Sequence, residues 1–168
     1  MMARAAALIS KELTTVRVLG SAGVIRPYSP RVLVGIVRTL RDWGRGPAGG
    51  FATLALRFPD RVGLIDELGE LTFRDLHHRS NALARGLRDL GVREGDSIAV
   101  LCRNHRGFVD ASIAASKLGA DVLYLNTAFA APQLGEVCRR EEPAAVIYDE
   151  EFDGLVGDAG VDVPRVHA

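Results

Sequence analysis

Ile98-Ala99-Val100-Leu101-Cys102, Val122-Leu123-Tyr124-Leu125 and Ala144-Ala145-Val146-Ile147-Tyr148 are three short runs that are apolar on both alternating faces. A strand with one wet face alternates apolar and polar residues, so unbroken runs predict strands buried between two helical layers. Between the first two, a segment rich in Ala and Ser runs to about Leu118, with Asn104 as its expected cap and Gly119 as its end. Its small side chains suit a helix lying close to a sheet. Between the second and third, Pro132 opens a helix whose Leu134, Val137 and Cys138 share a face, and Pro143 stops it. Strand–helix–strand–helix–strand predicts right-handed winding into a parallel sheet, hence the α/β class.

Upstream, Val62 to Asp66 and Glu70 to Phe73 read as a hairpin turning through Glu67-Leu68-Gly69. Thr72 and Asp75 stand in a capping-box relation that opens a helix. Its expected core stripe is Leu76, Ser80, Leu83, Leu87 and Leu90, with Gly91 at its end. A shorter helix is expected from Pro47 to Phe58. Before it, Ser29 and Pro30 start an amphipathic helix over 30–43, with Val32, Leu33, Ile36, Val37, Leu40 and Trp43 at helical spacing. Arg31, Arg38, Arg41 and Arg45 are available for its other side. Docking on the body is the expected use of that helix, and peripheral membrane contact through residues 30–45 is the alternative. Downstream of Tyr148, the run Asp149-Glu150-Glu151 and the glycines at 154, 157 and 160 read as loop.

Composition narrows the function classes. With 48% hydrophobic residues, 25% charged residues and no formal net charge, the 168-residue chain reads as globular and carries no general attraction to nucleic acid. The neutrality is uneven. Residues 1–48 hold eight Arg or Lys against two Asp or Glu, a net of +6, and residues 49–168 carry the opposite −6. Two segments are therefore expected: a basic helical extension over 1–48 and an α/β body over 49–168. Cys102 and Cys138 lie far apart without ligand spacing, which suits a reducing cytoplasm and buried thiols. Charged residues interrupt the first nineteen residues, so a secretory leader is not expected.

Ligands of open parallel sheets bind beyond the carboxyl ends of the strands. Those ends are Arg103-Asn104-His105, Asn126-Thr127 and Asp149-Glu150-Glu151. Glycine-rich phosphate loops of the common kinds are absent, as is a G-x-S-x-G nucleophile elbow. His105 is expected to be solvated or locally bonded. His77 and His78 are neighbours that diverge by about 100° on a helix and cannot share a metal. The acidic run 149–151 is expected to be a solvated loop, not a cation site. No catalytic residue and no metal ligand is assigned, and the cofactor-binding residues stay open.

The ordered series Leu71-Thr72-Phe73-Arg74-Asp75-Leu76, Arg79-Ser80-Asn81-Ala82-Leu83-Ala84, Leu90-Gly91-Val92-Arg93-Glu94-Gly95-Asp96, Ile98 to Asn104, Lys117-Leu118-Gly119-Ala120 and Leu125-Asn126 resembles the opening of AMP-forming adenylating enzymes. Asn126 to Phe129, Pro132-Gln133-Leu134 and Tyr148 to Phe152 make it most similar to bacterial fatty-acid–CoA ligases. The resemblance implies an incomplete N-terminal subdomain of that fold. It also implies a reaction that joins ATP and a carboxylate to acyl-adenylate and then passes the acyl group to CoA, with Mg²⁺. The Ser/Thr/Gly-rich phosphate loop of such enzymes is not in this chain. Its only lysines, Lys11 and Lys117, fit no such motif. ATP, Mg²⁺ and CoA are thus expected for a full-length relative, not for this chain alone. A second chain carrying the rest of the ligase is an expected partner, and fatty acid is a substrate only of the complete enzyme.

Overall fold

The computed structural model describes Val18, Ser21, residues 29–44 and residues 46–168. The readings that fall on the first twenty-eight residues, and Arg45, lie largely outside the described residues. Contacts divide the chain into two units, Met1–Val34 and Gly35–Ala168. The described part of the first is almost confined to the opening turns of helix α1 (Pro30–Trp43).

In the second unit, α2 (Pro47–Arg57) leads into the hairpin β1 (Val62–Asp66) and β2 (Gly69–Thr72), which pair antiparallel. Helix α3 (Phe73–Asp89) follows. Both halves of its capping box form: the Thr72 hydroxyl accepts from the Asp75 amide at 3.1 Å, and the Asp75 carboxylate accepts from the Thr72 amide at 2.9 Å. These bonds satisfy two of the donors that a helix start leaves unpaired.

The winding then takes over. Strand β3 (Ser97–Leu101), helix α4 (Arg106–Leu118), strand β4 (Asp121–Tyr124), helix α5 (Ala131–Glu141) and strand β5 (Ala145–Tyr148) follow as expected. All three strands are parallel, with Val100 opposite both Tyr124 and Ile147. The strand alternation splits the core in two. Ile98, Val100 and Ile147 pack with Ala111, Ala114 and Ala115 of α4 and Leu87 of α3. Ala99, Leu101, Val146 and Tyr148 pack on the other face with Leu134 and Cys138 of α5.

Several expectations are corrected. The segment after Tyr148 is not loop: it forms a 3-10 turn (Glu150–Phe152), helix α6 (Asp153–Asp158) and strand β6 (Arg165–His167). Phe152, Val156 and Val161 bury against the second face, and β6 extends the sheet parallel to β5, giving the order β4-β3-β5-β6. That burial outweighs the glycines at 154, 157 and 160. Strand β4 is not fully buried: it lies at the sheet edge, and Tyr124 is 55% exposed because a neighbour covers it on one side only. Leu90 leaves the α3 stripe and is exposed, since the helix has ended at Asp89 and Gly91 (φ 106°) turns the chain away. Ala84 takes its place in the buried set.

Candidate functional site

Chain path decides where a site belongs. From β3 the chain crosses through α4 to β4 on one side, and from β4 it crosses through α5 to β5 on the other. The connections diverge between the carboxyl ends of β3 and β5, the topological switch point where ligands of open α/β sheets sit. A cavity of about 450 Å³ opens there, lined by residues that include Asp66, Arg79, Arg103, His105, Asp149 and Glu151. Two of the three expected strand ends therefore meet. The third, Asn126-Thr127, joins Cys102, Asn104 and Phe108 around a separate cavity of about 470 Å³ between the ends of β3 and β4.

The groups at the switch point are already committed to one another. The helix cap is His105, not Asn104: the Gly107 amide donates to its Nδ1 at 2.9 Å. The other ring nitrogen, Nε2, stands 2.7 Å from Asp149 Oδ1, in a pair whose side chains are both largely buried. Asp149 Oδ2 accepts from the Arg103 amide at 2.7 Å, which ties the end of β3 to the end of β5. Glu151 pairs with the Arg103 guanidinium through two bonds, one of them 2.7 Å long. The acidic run is thus no free loop: the Arg103 amide and the His105 ring hold Asp149, and the Arg103 guanidinium holds Glu151. His105 likewise has a partner 44 residues away that no local pattern announces.

A further carboxylate comes from the hairpin. Asp66 Oδ2 accepts from the Arg106 amide at 3.0 Å and from Arg106 Nε at 2.8 Å, while its Oδ1 takes the other arm of the same guanidinium. It caps α4 from outside the helix, where the partial positive charge of the first turn favours an anion. Sequence reasoning missed Asp66, Arg106 and Arg79 as members of the site. The local signal is one acidic residue at a hairpin end for Asp66 and one basic residue at a helix start for Arg106, while Arg79 is one of several arginines inside α3.

Arg106, by donating to the carboxylate, holds Asp66 well below the usual carboxylate range. The sign follows: this stabilisation is present above the ordinary carboxyl pKa near 4 and is lost as pH falls below it. Asp66→Asn is expected to be clearly less stable than the parent at pH 7, with the gap constant down to about pH 4 and narrowing only below it. Urea midpoints across that range measure it, and a gap independent of pH contradicts the assignment.

The start of α4 is not open to a phosphate. The first two amides of α4 serve Asp66 and His105, so a phosphate at that helix start would have to displace both. Lys117 is no substitute. Its ammonium donates to His77 O, Ser80 Oγ and Asn81 Oδ1 at 2.7–3.0 Å in the α3–α4 interface, and burial lowers its pKa to about 8. His77 and His78 place their rings edge to face, 5.9 Å apart, and burial depresses the His77 pKa. Both cysteines are buried free thiols, and burial pushes Cys102 up to about 12. Among the described residues, no group of three His, Cys, Asp or Glu side chains is placed to hold a metal ion. No described helix is long and apolar enough to cross a membrane.

Comparison with known proteins agrees with the fold and the resemblance. The chain is 31% identical over 108 residues to a medium/long-chain-fatty-acid–CoA/3-oxocholest-4-en-26-oate–CoA ligase of Mycobacterium marinum (strain ATCC BAA-535 / M), covering 64% of this chain and 20% of that protein. It is 34% identical over 108 residues to pyochelin synthase PchD of Pseudomonas aeruginosa (strain PAO1), with the same coverage. Among solved structures, a Mycobacterium tuberculosis fatty acyl CoA synthetase shares the fold at a TM-score of 0.69 and 22% identity, over 76% of this chain and 27% of that one. The chain therefore spans about one fifth of the length of the curated relatives it matches. Residues 51–166 match the sequence pattern of AMP-binding enzymes, and the chain belongs to that family.

Proposed function

We propose that the chain supplies the front of the framework of a fatty-acid–CoA ligase and does not turn over by itself. The observation that carries this reading is the internal commitment of the switch-point donors: the first two α4 amides, the Arg103 amide and the Arg103 and Arg106 guanidinium groups all donate to carboxylates or to the His105 ring of the same chain. Departing pyrophosphate needs preorganised donors and a cation where negative charge develops. The fatty-acid–CoA ligase relatives support the substrate class, a fatty-acid carboxylate activated with ATP and Mg²⁺ and passed to CoA. A cytoplasmic setting suits the two buried thiols.

The complement is a polypeptide carrying the remaining parts of the ligase, in the same chain or a second one. Exposed Ile65 and Leu68 on the hairpin, together with the edge strand β4, favour such a partner. The test is ATP–pyrophosphate exchange with a fatty acid and Mg²⁺. The 168-residue chain alone is expected to stay at the blank rate, and adding a chain with the phosphate loop and C-terminal domain is expected to produce exchange. Exchange by the lone chain overturns the proposal.

A further inference from the structure

Three arginines line the switch-point cavity, and two of them are closed. Arg103 gives Nε and Nη2 to Glu151, and Arg106 gives Nε and Nη2 to Asp66. Arg79 is different. Its Nε donates to Asp110 Oδ2 at 2.7 Å, and neither terminal nitrogen has a hydrogen-bond partner among the described residues. Asp110 has its side chain only 6% exposed, whereas the Arg79 side chain is 44% exposed and reaches the cavity wall. A buried carboxylate thus holds this guanidinium through one nitrogen and leaves the other two unclaimed.

We infer that Arg79 receives the carboxylate of a small organic acid in this cavity. A guanidinium binds a carboxylate through two parallel N–H donors, the pairing that Arg103 and Arg106 already make. A group held in place beforehand loses little freedom when the ligand arrives. The surrounding charges decide between anions. Asp66, Glu151 and Asp110 each face an arginine, so these pairs largely cancel. Glu67 and Glu150 also line the cavity, are exposed, and their carboxylates make no hydrogen bond or ion pair among the described residues. Two free negative charges repel a doubly charged phosphate more than a carboxylate with one charge. Leu68, exposed on the same wall, offers an apolar side to a short alkyl group. This inference is independent of the ligase reading, because it rests on Arg79 and its cavity alone.

Titration of the ¹⁵N-labelled 168-residue chain with sodium butyrate at constant ionic strength tests it, with sodium chloride and inorganic phosphate as comparisons. The arginine Nε–H signal that Arg79→Lys removes is expected to move along a saturating curve, with a dissociation constant on the order of 10 mM. Phosphate is expected to bind several-fold more weakly, and chloride not to saturate. Arg79→Lys keeps the charge without the fork and is expected to weaken butyrate several-fold, read from the amide signals around the cavity. Arg79→Ala with Asp110→Ala removes both charges of the pair and is expected to abolish the saturating shifts, and circular dichroism melts check that it folds. Glu150→Gln removes a repelling charge and is expected to tighten butyrate several-fold, which a purely structural Arg79 would not produce. Shifts that never saturate, or that chloride reproduces, show an adventitious ion only and overturn the inference. An unchanged curve in the Arg79 variants overturns it too. So does phosphate binding more tightly than butyrate, or no response to Glu150→Gln, since the choice of a carboxylate depends on that charge.

Discussion

Replacing Ile147 with alanine is expected to lower the unfolding free energy by about 3 kcal/mol, and replacing Tyr124 with alanine by only about 1 kcal/mol, although the tyrosine is larger. Ile147 is 0% exposed on the inner strand β5, with β3 and β6 on either side. Above it lies a helix face of Ala111, Ala114 and Ala115. Alanines have no side-chain length with which to fill a hole, and paired strands on both sides hold the backbone in place. The cavity therefore persists, and both the transfer and cavity costs apply. Tyr124 stands at the edge, 5.1 Å from the Phe108 ring, with a hydroxyl that donates to Ser112 Oγ at 3.0 Å. Most of its surface already meets water, so little burial is lost. Urea midpoints at an unchanged m-value give both numbers. A cost for Tyr124→Ala equal to that of Ile147→Ala would show that β4 is covered in solution, and the edge assigned to it would be wrong.

Local chemistry was the legible part of this chain. Runs without polar interruption announced the three strands of the winding, and Thr72 with Asp75 announced a helix start, because each signal lies within a few residues. What failed depends on distance along the chain. Hydropathy counts apolar residues but not neighbouring strands, so Val122 to Leu125 read as buried while β4 lies at an edge. Asn104 has the better capping propensity, yet His105 caps α4 because its second nitrogen simultaneously meets Asp149. A tertiary partner overrode the local preference. Phe152 and Val156 are correctly spaced for a helix, but three glycines among nearby residues hid both that helix and the strand behind it.

Gly135 was silent in the sequence although it breaks a helix interior at a propensity cost of about 1 kcal/mol. In the structure a Cβ there would stand 2.5 Å from the Ala159 carbonyl oxygen, so α5 approaches the end of α6 through a gap that only glycine leaves. The candidate site followed the same division. Strand ends placed it at 103–105 and 149–151, but Asp66 and Arg106 reach it from the hairpin and from the start of α4, and Arg79 from the middle of α3.

Arg79→Ala is expected to destabilise the protein by about 2 kcal/mol at pH 7, and Arg79→Ala combined with Asp110→Ala to recover most of that loss. Asp110 lies inside the helical layer with its side chain 6% exposed, and Arg79 Nε meets its Oδ2 at 2.7 Å. Its Oδ1 has no hydrogen-bond partner among the described residues. A buried carboxylate stripped of its counter-charge is costly, whereas removing both charges leaves only a small packing defect. The loss stays below the range for fully buried pairs because the Arg79 side chain is 44% exposed and partly screened by water. Burial pushes the Asp110 pKa up, and Arg79 offsets this only in part. A carboxyl raised in the fold contributes most at low pH and loses that contribution as pH rises through its folded pKa. The Arg79→Ala penalty should therefore be small near pH 4 and grow toward neutrality. A double-mutant cycle from urea unfolding at both pH values measures the coupling. If the double variant is no more stable than Arg79→Ala, or if the penalty is the same at both pH values, Arg79 acts through packing and the ion pair contributes nothing.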